Sequence, residues 1–260
     1  KRATQEGLLP LVHATHATAE SAGENDTADS LAHAAILPVP ALPTLCVSMP
    51  IRSRRHTMRT MAPDYWLKAS RALARGDAVM AQLVRRYRGM SLVSRGDAFA
   101  TPARSIVGQQ ISVKAADSVW ARFAERVGTV TPQAVVRAGP AGLEGCGLSA
   151  RKTEYLADLA GHFVAGRIVP ARWHEMDDEA VIAELVDVRG IGRWTAEMFL
   201  IFHLMRPDVF PLDDLGLQKA VFQHYFAGEK QPRRVLVEAG ERWRPWRSVA
   251  TWYLWRSLDP

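Results

Sequence analysis

Residues 188–197 read VRGIGRWTAE, and they place two glycines directly before a predicted helix. Gly190 and Gly192 flank Ile191 in a short turn. Glycine permits a tight turn and a close backbone approach, and it leaves the amide N–H groups at the start of the next helix uncovered. Such a helix N-terminus attracts anions through its amides and its dipole. The turn is therefore a candidate phosphate-binding site.

Two side chains next to the glycines extend this hypothesis. Arg193 and the Thr195 hydroxyl are donors that can contact the same phosphate as the amides. Contacts of this kind position a nucleic acid duplex without reading its sequence. The alternative is an ordinary corner between two helices, in which the glycines only permit the turn. Val188 and Ile191 occupy positions suited to packing, and the chain is basic. Together these two observations favour phosphate binding over an ordinary corner.

A pair of acids follows in the stretch PLDDLGLQK, residues 211–219. Asp213 and Asp214 come after a proline and precede an apolar helical pattern. Acidic residues are favoured at a helix N-terminus, where they cap free amides and complement the dipole. Taken alone, a place at the start of a helix is the ordinary explanation for both carboxylates.

The elements that must position these groups are predicted to be helices. From Asp64 onward the chain shows helical periodicity interrupted by short Gly and Pro turns, with almost no alternating strand pattern. Nine or ten helices are expected, and Asp64, Asp77 and Thr131 are predicted N-caps. One helix is predicted from residue 101 to Gly128. Its apolar stripe is expected to contain Ile106, Val113, Val119 and Phe123. The pattern predicts an all-α fold.

Composition and charge narrow the function classes. The chain has 260 residues, of which 48% are hydrophobic, enough for one large or two modest domains with a core. A net charge of +6 and a pI near 9.6 favour an anionic partner. Cys46 and Cys146 show no metal or disulfide spacing, which fits a reduced, cytoplasmic compartment. No apolar run has the length of a membrane-spanning helix, so no membrane association is expected.

Residues 1–62 differ in composition from the rest of the chain. They are rich in Ala, Thr, His and Pro and lack helical periodicity, which predicts a disordered or weakly ordered extension. Met61 is a suitable initiator for the part that follows. Residues 63–260 are predicted to form the functional domain, with a net charge of +5 and the glycine hairpin at about residues 188–193.

Four segments resemble the helix-hairpin-helix DNA glycosylase superfamily. VRGIGRWTAEMF resembles its hairpin, and PDVFPLDDLGLQKA resembles the segment that carries an aspartate before a helix. ERWRPWRSVATWYLW and RSIVGQQISVKAA are similar to segments of the 3-methyladenine DNA glycosylase II branch. The resemblance spans about residues 64–260. It implies two helical subdomains with an active-site cleft between them, and excision of alkylated purines such as 3-methyladenine and 7-methylguanine in base excision repair.

The resemblance identifies Asp214 as the catalytic acid. Cleavage of an N-glycosidic bond develops positive charge on the sugar, as in the hydrolysis of other glycosides. A carboxylate beside the sugar stabilises this charge and can orient or deprotonate the attacking water. The helix N-terminus favours the ionised form that this role requires. The neighbouring Asp213 opposes it and is expected to point elsewhere, as a cap.

Trp194 distinguishes between two mechanisms. In relatives that also cut the strand, a lysine at this position attacks the sugar as an amine. An indole forms no Schiff base, so we expect a monofunctional enzyme in which water is the nucleophile. Indole faces attract a cationic alkylated base, so Trp194 is predicted to line its pocket, and the resemblance identifies Trp255 as a second aromatic side chain there. Met198, Trp120 and Tyr253 are further candidates, with core packing as the alternative for every one of these side chains.

The paired glutamines of VGQQIS are assigned to the gap that a flipped base leaves. A base must leave the stack before its glycosidic bond can be attacked, and a protein side chain fills the vacancy. The resemblance identifies Gln110 as this wedge, with Gln109 adjacent to it. A glutamine would also hydrogen-bond the orphaned base. The alternative is that both are ordinary polar residues near a helix turn.

No cofactor is expected apart from a monovalent cation at the hairpin. No cysteine follows Cys146, so the iron–sulfur loop of some relatives cannot form, and the eight histidines show no zinc spacing. The resemblance implies a Na⁺ or K⁺ ion at backbone atoms of Val188 and Gly190. The expected partner is double-stranded DNA with alkylated bases, bound by a monomer in the cytoplasm, at the nucleoid. Two alternatives stay open: a non-catalytic DNA-binding or lesion-sensing module, and a glycosylase for other damaged bases.

Overall fold

The computed structural model describes residues 62–94 and 96–259, and no strand occurs in these ranges. The predictions for residues 1–62, including the initiator at Met61, therefore lie almost wholly outside the described residues. Across the described ranges, no helix has both the length and the apolar character needed to cross a membrane.

All regular secondary structure of the described residues is helical. In chain order they are α1 (Trp66–Gly76), α2 (Ala78–Arg86), α3 (Ala100–Gly108), α4 (Val113–Val127), α5 (Pro132–Gly142), α6 (Ala150–Val164), a 3₁₀-helix (Pro170–Glu175), α7 (Asp178–Val186), α8 (Arg193–Phe202), α9 (Leu215–Tyr225), α10 (Arg233–Glu241) and α11 (Arg247–Arg256). The prediction of an all-α fold is confirmed. The described ranges contain one α-helix more than the largest number expected, because one predicted helix is two.

The stretch predicted as a single helix up to residue 128 is two helices joined by a loop. Gln110 has a φ of +58°, in the left-handed region, through which a right-handed helix cannot continue. Ser112 then caps α4, because its hydroxyl accepts an amide of the first turn. Val113 is 40% exposed at the start of α4, so its predicted place on the apolar stripe is wrong. We call residues 109–112 the glutamine loop.

Side-chain caps fix several helix starts. Asp77 caps α2 and Thr131 caps α5, which confirms both predictions. The prediction that Asp64 caps α1 is wrong. The helix starts two residues later, and the amide of Trp66 donates to the carbonyl of Pro63 without any side-chain cap.

The helices pack into two groups, which are the two subdomains. In the first group α1 and α2 pack against each other and against α11, which also packs against α9. In the second group α6 packs against α3 and α5, and α8 packs against α3 and α7. The described part of the chain therefore begins in the first group, builds the second with α3 to α8, and returns to the first. The hairpin and α8 lie in the second group, whereas α9 lies in the first.

Each group has an aromatic cluster of its own. In the first, Trp66 contacts Trp252 edge to face, with ring centroids 5.1 Å apart, and also contacts Tyr253 at 5.7 Å. In the second, Trp173 packs edge to face against Phe199 at 5.0 Å. Burial of each such side chain contributes roughly 1.5–3 kcal/mol to folding. These clusters hold the helices that carry the candidate site residues.

Candidate active site

Three N–H groups bind the Asp214 carboxylate. Its Oδ1 accepts the backbone amide of Leu217 at 2.6 Å and the indole Nε1–H of Trp255 at 2.8 Å. Its Oδ2 accepts the indole Nε1–H of Trp194 at 2.9 Å. Hydrogen bonds to a charged group contribute roughly 1.5–3 kcal/mol each, so the carboxylate is held in one orientation.

The three donors come from three helices. Leu217 lies in the first turn of α9, Trp194 in the first turn of α8, and Trp255 near the end of α11. Gly216 makes room for this arrangement, because a Cβ there would lie 3.2 Å from Asp214 Oδ1 and 3.5 Å from the Trp255 ring. Since α8 belongs to one group of helices and α9 and α11 to the other, the carboxylate lies where the two groups meet.

Of the two adjacent acids, Asp214 caps α9, whereas Asp213 was expected to do so. Asp214 is the N-cap of α9, through its bond to the Leu217 amide. Asp213 points outward and pairs with Arg233 at the start of α10. The prediction that Asp213 acts as a cap is therefore wrong. The prediction that it points away from the site agrees with this ion pair.

The edges of the two tryptophans, rather than their faces, contact Asp214. Trp255 is 7% exposed, and one of its faces stacks on Phe202 with centroids 5.7 Å apart and an angle of 11° between planes. Trp194 and Met198 are both half-buried and lie one turn apart on α8. The pair can border a bound base from the same side of the helix, whereas Trp255 offers it little free surface.

Two further pocket candidates lie in other surroundings. Tyr253 is 2% exposed, and its hydroxyl bonds that of Ser70 at 3.0 Å within the aromatic cluster of the first group. Trp120 contacts the Phe123 ring at 5.4 Å, and the Arg104 guanidinium lies 5.6 Å from its centroid. These contacts are those expected of the core-packing alternative, and no described contact joins either residue to Asp214.

The glycine hairpin has the geometry expected of a tight turn. Gly190 has a φ of +83°, and a Cβ at this position would clash with the Tyr155 ring. Ile191 is buried, and its amide donates to the carbonyl of Val188 at 3.1 Å. Gly192 is the N-cap of α8 and has no side chain to cover the amides that follow. Within the described ranges, these first amides of α8 have no protein acceptor and can donate to a bound anion.

Arg193 and Thr195 differ from the donors expected beside the hairpin. The Arg193 guanidinium binds both carboxylate oxygens of Glu179 and also contacts Glu197 at 3.1 Å. Its bond to Glu179 raises the pKa of Arg193 and lowers the pKa of Glu179. Thr195 is 9% exposed. Their predicted phosphate contacts would require Arg193 to leave two carboxylates and the Thr195 side chain to become accessible.

A charged cavity of about 610 Å³ lies beside this ion-pair network. Its lining includes Arg193, Glu179 and Glu197 but not Asp214 or either of its tryptophans. Glu197 is 6% exposed, and burial raises its pKa to about 6. Because the arginines of the lining are paired with carboxylates, the cavity is a network of ion pairs and does not contain the candidate catalytic group.

The glutamine loop lies next to the hairpin. The Gln109 side chain donates from Nε2 to the carbonyl of Gly190 at 2.8 Å, so it binds protein where a DNA contact was predicted. Gln110 is exposed beside it. Lys152 was missed by the sequence analysis, although its ammonium group donates to the carbonyls of Val107 and Gln109 at 2.8 and 2.7 Å. Nothing local in the sequence points to these contacts, which join residues more than forty positions apart.

The predicted cation site involves two carbonyls that already accept hydrogen bonds. Val188 O accepts the amide of Ile191, and Gly190 O accepts the side chain of Gln109. A carbonyl oxygen has two lone pairs, so each retains one for a Na⁺ or K⁺ ion, and this site stays a prediction. In the described part of the chain, no group of three or more His, Cys, Asp or Glu side chains could hold a metal.

Comparisons with known proteins show which family the chain resembles. A family model described as HhH-GPD superfamily base excision DNA repair protein matches residues 103–245. DNA-3-methyladenine glycosylase 1 of Schizosaccharomyces pombe is 32% identical over 183 residues, which cover 68% of this chain and 80% of that protein. The chain spans between 63% and 80% of the lengths of the first curated relatives it matches.

Two solved structures share both fold and sequence with the chain. A DNA-3-methyladenine glycosidase of Bacillus halodurans superposes with a TM-score of 0.68 at 33% identity, covering 77% of this chain and 92% of that one. The Schizosaccharomyces pombe 3-methyladenine DNA glycosylase in complex with abasic DNA has a TM-score of 0.63 at 30% identity, covering 73% and 96%. The chain therefore belongs to the HhH-GPD superfamily of base excision DNA repair proteins, in its 3-methyladenine DNA glycosylase branch.

Proposed function

We propose that the protein is a monofunctional DNA glycosylase that flips alkylated purines out of duplex DNA and removes them by hydrolysis. The observation that carries this proposal is the Asp214 carboxylate, fixed by Trp194, Trp255 and the α9 amide where the two groups of helices meet. The named activity of the related glycosylases supports the substrate class. DNA is the partner in the complex of the related S. pombe glycosylase.

The hydrogen bonds of Asp214 leave one oxygen with spare acceptor capacity. A carboxylate offers about four acceptor sites, two on each oxygen. Oδ1 uses two of them, for Leu217 and Trp255, whereas Oδ2 uses one, for Trp194. We infer that Oδ2 is the oxygen that faces the sugar and the attacking water.

The chemistry assigned to this oxygen is hydrolysis of the bond between the sugar and the base. The C1′–N bond breaks, and its electron pair leaves with the purine. Positive charge develops on the sugar, and the Asp214 carboxylate stabilises it. Water then forms a bond to C1′ and loses a proton to the carboxylate or to solvent. An alkylated purine already carries positive charge, so it leaves as a neutral base and needs no protonation by the enzyme.

DNA binding is assigned to the hairpin and the glutamine loop. The uncovered amides at the start of α8 bind a backbone phosphate. Exposed Gln110 enters the gap that the flipped nucleotide leaves. Trp194 and Met198 border the extruded base, whose positive charge is attracted to an indole face by roughly 0.5–2 kcal/mol.

The test is release of free base from a methylated duplex, with chromatographic identification of the released purine. We expect 3-methyladenine or 7-methylguanine to be released, and no covalent adduct when borohydride is added, because Trp194 provides no amine. Duplexes with 8-oxoguanine or hypoxanthine test the alternative specificities in the same assay. Tight duplex binding without release of any base would instead support a non-catalytic module, and a trapped adduct would contradict the hydrolytic mechanism.

A further inference from the structure

One face of α6 contacts both segments to which we assign DNA binding. Lys152, Tyr155 and Asp158 follow one another at intervals of three residues, so their side chains lie along the same side of the helix. The first contacts the glutamine loop, and the other two contact the hairpin. None of the three was predicted from the sequence to be a site residue, although Tyr155 was expected on the apolar face of this helix.

Lys152 holds the end of α3 and the start of the glutamine loop. Its Nζ donates to Val107 O at 2.8 Å and to Gln109 O at 2.7 Å. The last carbonyls of a helix have no partner within the helix and carry a partial negative charge, so an ammonium group is favoured there. Burial lowers the pKa of Lys152. The residue that follows these carbonyls, Gln110, is the proposed wedge.

Tyr155 and Asp158 hold the hairpin from the same helix. The Tyr155 ring occupies the space that a side chain at Gly190 would need. Asp158 Oδ2 accepts the backbone amide of Arg189 at 2.8 Å. The Gln109 side chain closes the arrangement, because its Nε2 donates to Gly190 O at 2.8 Å. The glutamine loop, the hairpin and α6 therefore each contact the other two.

We propose that this face of α6 is a positioning surface that fixes the glutamine loop relative to the hairpin. This inference rests on the proposed function, in which the hairpin binds a phosphate and Gln110 fills the gap left by the flipped base. The hairpin can bind any duplex, whereas the loop has a partner only where a nucleotide is missing from the stack. Lys152 contacts the end of α3 and the glutamine loop but has no described contact with the hairpin, so its loss selectively weakens binding to duplexes that lack a stacked base.

The test compares affinity for a duplex that contains a stable abasic analogue with affinity for the same duplex undamaged. Lys152→Met keeps an unbranched side chain one atom shorter but removes the ammonium group and both of its hydrogen bonds. We expect the preference for the abasic duplex to fall about tenfold, the effect of losing charged hydrogen bonds, while affinity for undamaged duplex is retained. Lys152→Arg keeps a cationic donor and should retain most of the preference. Lys230→Met, at an exposed position in the loop before α10, is the matched charge control.

Asp158→Ala tests the contact between α6 and the hairpin. It frees the Arg189 amide of the hairpin, so we expect it to weaken binding to both duplexes by a similar factor and to leave the preference unchanged. The inference is overturned if Lys152→Met weakens both duplexes equally, if it changes neither, or if the wild type has no preference. These affinities do not depend on bond cleavage. Base release by the wild type, measured alongside, therefore tests the proposed function separately.

Discussion

At the scale of single residues, the site depends on the hydrogen bonds that the indole N–H groups of Trp194 and Trp255 donate to Asp214. The sequence and its resemblance predicted that Asp214, Trp194 and Trp255 belong to one site, and the structure brings them together. The expectation that both indole faces surround a base was too simple, because both Nε1–H groups bind the carboxylate and Phe202 covers one face of Trp255. The direction of a side chain depends on partners from other helices, which no local pattern records.

Trp194→Phe should slow base release while keeping an aromatic ring at this position. It removes the donor to Asp214 Oδ2, and a hydrogen bond to a charged group corresponds to a factor of about 10 or more in rate. Trp246→Phe is the control, because Trp246 stacks on Tyr65 and has no described contact with Asp214. Single-turnover rates at saturating enzyme check this prediction. Equal rates for wild type and Trp194→Phe would show that the bond does not support catalysis.

Glu197 should make stability depend on pH. Burial raises its pKa from 4.5 to about 6, so the folded state binds a proton more tightly than the unfolded state. The stabilisation that this provides is complete below pH 4.5 and is lost as the pH rises through 6. We therefore expect the Tm of Glu197→Gln, relative to that of the wild type, to increase between pH 4.5 and 7. Thermal unfolding at several pH values measures this.

The control for this titration is Glu238→Gln, which changes an exposed glutamate of α10. This variant makes the same change of charge at a position where the folded protein leaves the carboxyl exposed. A Tm difference for Glu197→Gln that varies with pH no more than that of Glu238→Gln would contradict the effect assigned to burial.

At the scale of elements, turns and caps explain both the successes and the failures of prediction. Asp77 and Thr131 were predicted as caps because they directly precede apolar helical patterns, and local chemistry sufficed there. The break at Gln110 was missed because glutamine is an ordinary helix residue by propensity. Its left-handed conformation coincides with contacts from Lys152, which lies in another helix. The sequence thus predicts the presence of helices more reliably than the breaks between them.

The hairpin should tolerate a side chain at one glycine and not at the other. In Gly190→Ala the new Cβ meets both a φ of +83° and the Tyr155 ring, so we expect a loss of at least 1–3 kcal/mol of unfolding free energy, roughly the cost of backbone strain alone. Gly192→Ala is the matched control, because Gly192 has a φ of −92° and no atom within 4 Å of the added Cβ. Denaturant unfolding compares the two. Similar losses for both variants would contradict the packing argument.

At the scale of the whole molecule, the fold joins two groups of helices at Asp214. Helical periodicity predicted the fold class, and the resemblance implied two subdomains. The packing of particular helices could not be predicted, since contacts such as that of Trp194 with Asp214 or Lys152 with Gln109 join distant segments. The proposed catalytic group therefore depends on the whole arrangement rather than on the DD pair alone.

The most direct test of this account compares two neighbouring acids at the start of α9. Asp214→Asn keeps a good N-cap residue, and Asp213→Asn makes the same change at an exposed position paired with Arg233. The measurement is the single-turnover rate of base release from alkylated duplex, with binding to abasic duplex as a check on folding. We predict that Asp214→Asn slows release at least about 100-fold and that Asp213→Asn stays within about twofold of the wild type. Equal rates for both variants, with binding retained, would contradict the role of Asp214.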